Sequence, residues 1–166
     1  MAVRPADSVL EIGPGSSDSI AYLAGKATDG TVVGVERSAT AISRAGKRHA
    51  AGPASGRVRL VHADLASLDP DRLLRETGVG AAGFDKILAV NVNLFWTKRP
   101  TAELALIRRL LAPGATLGLF YGYGTPDAAT ATSPKPSLAG LTEHLTGAGF
   151  GVRTLSSGDL LGVLCV

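Results

Sequence analysis

The residues best suited to do chemistry in this 166-residue chain are Glu11, Glu36 and Asp64, together with the glycines at 13 and 15. Glu11 stands in the run Ser8-Val-Leu-Glu-Ile-Gly-Pro-Gly-Ser-Ser17. Val9, Leu10 and Ile12 suit a strand buried on both faces, as in a parallel sheet. Gly13 and Gly15 permit a sharp turn and let a ligand approach the backbone closely. Ser16, Ser17 or Asp18 can cap the next helix, whose first amides have no partner inside it. The product is a site for a nucleotide-like ligand at the carboxyl end of a strand. Glu36 follows about 20 residues beyond the glycines, where a carboxylate can accept both ribose hydroxyls. Each such charge-assisted bond contributes roughly 1.5–3 kcal/mol. A nicotinamide dinucleotide uses the same position, so Glu36 points to adenosine without choosing what is attached to it.

The glycine turn makes that choice. A diphosphate site wants G-x-G-x-x-G, with the phosphates on a helix N-terminus. Here Asp18 occupies the third glycine position and Glu11 stands just before the turn. Two carboxylates repel a diphosphate and suit a ligand whose amino-acid end carries an ammonium group. S-adenosylmethionine is such a ligand. Glu11-Ile-Gly-Pro-Gly-Ser-Ser17 resembles the first motif of class I S-adenosylmethionine-dependent methyltransferases, acidic-x-Gly-x-Gly, with Ser17 where a third glycine is usual.

The resemblance implies roles for further residues. Asp64 would accept from the adenine amino group, and the Leu65 amide would donate to the ring. Asn91 matches the family's fourth motif, beside the methionine part of the cofactor and the transferred methyl group. Leu110-Leu-Ala-Pro-Gly-Ala115 is similar to the family's helix-to-strand turn. The implied cofactor-binding set is therefore Glu11, Gly13, Pro14, Gly15, Ser17, Glu36, Arg37, Asp64, Leu65 and Asn91. For Arg37, stacking on adenine and pointing to water stand level. The resemblance runs over 8–166, and its nearest group is that of the small-molecule, ubiquinone/menaquinone-type enzymes.

These residues need elements to carry them. The pattern predicts strands over 8–13, 31–36, 58–61, 84–91 and 116–121. Between them it predicts helices over 17–26, from a Ser38 cap to 51, from an Asp69 cap to 77, and from Pro100 until Pro113-Gly114 ends it. In the first helix Ile20, Leu23 and Ala24 share a face, and in the last Leu104, Ile107 and Leu111 do. A loop spans 92–99. The stretch 122–136 has no periodicity, and a loop of that length is usually a lid or binding loop. A helix over 137–146 precedes strands over 150–155 and 160–166. No helical pattern separates the last two, so they should pair antiparallel. The expectation is one α/β domain over 1–166: a Rossmann-like, doubly wound, mostly parallel sheet closed by an antiparallel C-terminal β-hairpin.

Composition bounds the function class. Hydrophobic residues make up 45% and charged residues 19%, which indicates a folded chain rather than a disordered one. A net charge of +3 is too small an excess to argue for nucleic acid as a partner. Arg44, Lys47, Arg48 and His49 form a basic side of the second helix, read first as a solvated face. One cysteine, Cys165, excludes an internal disulfide framework and a Cys-rich zinc site. No run is long enough to cross a bilayer, and residues 1–7 lack the apolar core of a signal peptide. The expected location is the cytoplasm, with no membrane partner and no metal.

On the acceptor side, Asn93, Trp96, Tyr121 and Tyr123 fall on loops at the carboxyl edge of the sheet, where a substrate should lie; Trp96 and Phe95 equally suit packing. His49, His62 and His144 read as structural or solvated, so no catalytic base is assigned. None is compulsory for in-line displacement by an already nucleophilic small molecule, because positioning supplies much of the rate gain. Relatives usually carry helices before the first strand, and here only residues 1–7 precede it. The site is then expected to be open, or to be completed by a partner subunit or second copy or by the 122–136 loop, unless the natural N-terminus is longer. Two other function classes stay open, a catalytically inactive cofactor-binding interaction subunit and an NAD(P)-dependent oxidoreductase.

Overall fold

A computed structural model describes residues 1–15, 17–49, 56–122 and 136–166. In chain order the strands are β1 (Val9–Ile12), β2 (Val32–Glu36), β3 (Val58–His62), β4 (Phe84–Val90), β5 (Leu111–Tyr121), β6 (Val152–Ser157) and β7 (Leu160–Cys165). The helices are α1 (Ser19–Lys26), α2 (Ala39–His49), α3 (Pro70–Thr77), α4 (Leu94–Thr97), α5 (Thr101–Leu110) and α6 (Leu138–Gly147), with a 3₁₀ turn at Leu65–Ser67. The strands form one sheet in the order β3-β2-β1-β4-β5-β7-β6. β1 to β5 pair in parallel, and β7 runs antiparallel to both β5 and β6. This is the expected Rossmann-like, doubly wound sheet with its closing hairpin.

Burial follows from residue type. β1 and β2 are buried along their whole length, as inner strands covered on both faces must be. α1 lays Ile20, Leu23 and Ala24 on one face of the sheet against Val9, Val32 and Leu88. On the other face, α3, α5 and α6 contribute Leu73, Leu74, Leu104, Ile107, Leu110, Leu141 and Leu145 to a core with Leu10, Val33, Ile87 and Leu117. The caps expected at Ser38 and Asp69 form, and Ser137 adds one; the cap expected for α1 does not, since Asp18 holds its N-cap position without a side-chain bond. Ser38 Oγ accepts from Ala41 N, Asp69 Oδ1 from Asp71 N and Arg72 N, and Ser137 Oγ from Gly140 N. Among the described residues no helix is long and apolar enough to cross a membrane.

Besides the start of α1 at Ser19 rather than 17, three differences from expectation stand out. α5 does not run to Pro113-Gly114. It stops at Leu110, and Leu111 opens β5 by pairing with Phe84. The register shift between Phe84 and Lys86 lets the Pro-Gly pair sit inside the strand, with Gly114 at φ 74. β6 starts two residues later than predicted, because Phe150 is a buried plug whose amide closes α6 on the Leu145 carbonyl. The loop over 92–99 contains the single turn α4, which buries Phe95.

Candidate functional site

The carboxyl ends of β1, β2, β3 and β4 surround a cleft of about 490 Å³. Gly13, Glu36, Arg37, Asp64, Leu65, Asn91 and Asn93 line it, so the structure gathers six of the ten expected cofactor residues and one expected substrate residue at one place. A hollow of about 560 Å³ at the opposite edge of the sheet, between Met1, Lys86, Thr116 and Arg153, touches none of them.

The glycine turn has the geometry its residues demand. Gly13 sits at φ 66 and Gly15 at φ 59, a region that favours glycine. A Cβ at Gly13 would lie 3.0 Å from Val92 Cγ2, so only a bare backbone leaves the cleft open there. Pro14 is buried and packs over Gly34 of β2. Ser17 Oγ donates to the Pro14 carbonyl at 2.8 Å and tightens the same turn.

Glu36 ties that turn to the end of β2. Its Oε2 accepts from Gly15 N at 3.0 Å and its Oε1 from Ser38 N at 2.8 Å. The carboxylate is nearly buried yet lines the cleft. Each oxygen keeps a lone pair for a further donor. Asp64 caps the 3₁₀ turn by accepting from Ala66 N at 2.9 Å, and stays exposed on the rim. Leu65 is buried beneath it. Arg37 is exposed, and its carbonyl lies 3.1 Å from His62 Nε2.

Glu11 takes a different position. It is 1% exposed and lies beneath the bend, outside the cleft lining, with Ser19 as its hydrogen-bonding neighbour. Its Oε2 has no partner, and burial pushes its carboxyl up to about 7 against the opposing pull of Ser19. Asp18, the other carboxylate near the turn, is not an isolated charge. Arg48 Nη1 holds it at 2.6 Å and also donates to the Ser17 carbonyl at 3.1 Å. The basic side of α2 is thus partly a strut onto the glycine turn, a link of 30 residues that no local pattern signals. With Asp18 paired, the negative character of the turn rests on Glu36 and, above about pH 7, on Glu11.

On the β4 side, Asn91 adopts φ 55 and its Oδ1 accepts from Gly122 N at 2.9 Å, linking the ends of β4 and β5. Tyr121 is 2% exposed, and its hydroxyl donates to the Val92 carbonyl at 3.2 Å. Its ring belongs to the core, and burial holds its hydroxyl well above the ordinary tyrosine range. Trp96 packs on the same core with a buried, unpartnered Nε1. Tyr123 and most of the 122–136 loop lie outside the described residues. His144 Nδ1 lies 3.3 Å from the Phe95 carbonyl, a packing role. The sequence reading missed Val92, Leu94, Thr97 and Lys98, which line the cleft because α4 turns back over it. The Lys98 ammonium is held by the buried Glu103 at 2.9 Å.

The residues fit an adenosine compound with a cationic amino-acid end. Gly15 N, the donor a phosphate would seek, is already bound to a carboxylate. The orphaned Glu11 oxygen calls for a donor or positive charge rather than an anion.

Comparison with known proteins identifies the family and the fold. The family described as "Methyltransferase domain" matches residues 9–114. No curated protein sequence matches the chain. Among solved structures, a SAM-dependent methyltransferase from Aquifex aeolicus superposes with a TM-score of 0.75 at 16% identity, over 99% of this chain and 84% of that one. A TehB-like SAM-dependent methyltransferase from Corynebacterium glutamicum gives 0.69 at 18%, over 100% and 82%. A chain of the complex between the Haloferax volcanii Trm112 methyltransferase activator and its methyltransferase partner gives 0.73 at 16%, over 100% and 84%. At these identities the likeness is one of fold.

Proposed function

The chain belongs to the methyltransferase-domain family, and on that premise we propose that it uses S-adenosylmethionine to methylate a small molecule by in-line displacement. The observation that carries this reading is Glu36, a nearly buried carboxylate bound to the glycine turn on one side and open to the cleft on the other. When bound, S-adenosylmethionine supplies a sulfonium-activated methyl group. Glu36 would hold the ribose hydroxyls, with Asp64 and the Leu65 amide reading the adenine edge. Gly13 keeps the backbone low under the ligand. Glu11, beneath the bend, would offset the charge of the ammonium end. Asn91 would orient the reacting end while bracing β4 against β5.

The acceptor would enter past Asn93, Thr97 and Lys98, which border the cleft away from Glu36. No described histidine lies in that lining, so the acceptor would arrive nucleophilic or pass its proton to water. Within the same proposal the chain would stand near the small-molecule, ubiquinone/menaquinone-type group, on the resemblance of its sequence over 8–166. Partner subunits are within the same reading, given the activator complex among the similar folds.

Calorimetry tests the cofactor. S-adenosylhomocysteine should bind with a micromolar Kd, and NAD⁺ should not bind at millimolar concentration. Tight NAD⁺ binding, or indifference to the sulfur compound, overturns the reading.

A further inference from the structure

The two edges of the sheet are built differently. At one edge β3 is flanked by α2 and carries Arg59. At the other, β6 has the sequence Val-Arg-Thr-Leu-Ser-Ser, and every residue after Val152 is exposed. It contains no proline and no acidic residue, and Leu155 is 36% exposed in its middle. Such a strand lacks most of the features that protect an open edge from pairing.

The direction of its backbone groups can be read off. Gly151 and Val166 exchange both amide-to-carbonyl bonds, at 2.9 and 3.0 Å. Antiparallel pairs alternate between bonded and non-bonded types. Given the register of β6 on β7, Arg153, Leu155 and Ser157 therefore bond toward β7, while Val152, Thr154 and Ser156 direct their N–H and C=O groups outward.

We propose that β6 pairs antiparallel with β6 of a second copy about a two-fold axis at Leu155, joining two seven-stranded sheets into one continuous sheet. A two-fold perpendicular to the sheet keeps each side chain on its own face, so only residues of like parity stand opposite each other. With the axis at Leu155, Thr154 faces the partner's Ser156, and these outward-directed residues form the hydrogen-bonded pairs. Leu155 faces the partner's Leu155 in a non-bonded pair, where side chains come closest. Arg153 faces the partner's Ser157. The register thus gives an aliphatic pair and hydroxyl pairs and places no like charges opposite each other. Moving the axis to Thr154 sets Arg153 against Leu155 and loses the aliphatic pair. The interface is independent of the cleft, since β4, β5 and β7 separate β6 from β1.

Sedimentation equilibrium with single-cysteine cross-linking tests this. The wild-type chain should pass from monomer to dimer as concentration rises. Leu155→Lys, which sets two ammonium groups face to face at an exposed position, should stay monomeric with unchanged circular dichroism. Leu155→Cys should form a disulfide dimer on mild oxidation, since Cα atoms about 4.5 Å apart in such a pair lie within disulfide range. Ser157→Cys should not, nor should Tyr22→Cys on the exposed side of α1. The native Cys165 is fully buried and stays out of the reaction. A wild-type chain monomeric at all concentrations, a dimer that survives Leu155→Lys, or equal cross-linking at 157 or 22 overturns the proposal.

Discussion

The two halves of the sheet end in different chemistry. In β1, β2 and β3 a carboxylate stands in the strand or within two residues of its end: Glu11, Glu36 and Asp64. At the ends of β4 and β5 stand an amide and a phenol, Asn91 and Tyr121, and both hold protein groups. The first half leaves its strands through tight turns whose amides fasten on two of those carboxylates, Glu36 and Asp64. The second leaves through longer connections, one of which folds α4 across the cleft. A recognition surface for one constant ligand can be written into short turns. A surface for a variable acceptor is assembled from segments that sequence spacing does not fix.

The largest effect expected from breaking this contrast is at Glu11. Its folded carboxyl titrates near 7 against 4.5 for the exposed group, because of burial. The folded chain therefore binds a proton more tightly than the unfolded one between these values. Stability of the ligand-free protein should fall as pH rises from about 4.5 to 7 and level off above, by on the order of 3 kcal/mol for this group. Glu11→Gln should remove that slope and be the more stable chain at pH 8, as read by urea denaturation. If the ammonium of S-adenosylhomocysteine faces this charge, wild-type affinity should strengthen toward pH 8 while that of Glu11→Gln stays flat. Parallel stability curves for the two proteins would show that Glu11 is not the titrating group.

Next comes Glu36. Glu36→Ala removes the acceptor for two backbone amides as well as the proposed ribose contact. S-adenosylhomocysteine affinity should fall at least tenfold by calorimetry, about 1.4 kcal/mol or more. The melting temperature should fall too, because Gly15 N and Ser38 N lose their partner. Unchanged affinity would remove Glu36 from the site.

The same contrast explains what was legible beforehand. The order and type of the strands, the closing hairpin, and the Ser38 and Asp69 caps follow from periodicity and from side chains within four residues of their targets. Glu36 was legible because strand-helix-strand geometry sets its distance from the glycines. The Arg48–Asp18 strut was not, since a bond across 30 residues leaves no local trace and two exposed charges look alike whether paired or solvated. Nor was the inward turn of Tyr121. A tyrosine at a strand end suits substrate or core equally, and here the alternation of β5 puts its ring with Leu117 and Leu119. The Pro-Gly pair at 113–114 reads as a helix stop, and the sheet instead absorbs it as an irregularity in β5.

The smallest effect, and the one that separates geometry from bonding, is at Asn91. This residue is in the left-handed region, which asparagine tolerates better than alanine. Its side chain also holds Gly122 N. Asn91→Ala loses the bond and adds backbone strain, so it should destabilise the fold by roughly 1–2 kcal/mol. Asn91→Gly loses the bond but relieves the strain, and should recover part of that difference. If the two variants are equally unstable, strain is absent and the brace between β4 and β5 is the whole contribution. If Asn91→Gly matches the wild type in stability but binds S-adenosylhomocysteine more weakly, the amide acts on the ligand rather than on the fold. That outcome would move Asn91 from the structural half of the contrast to the chemical one.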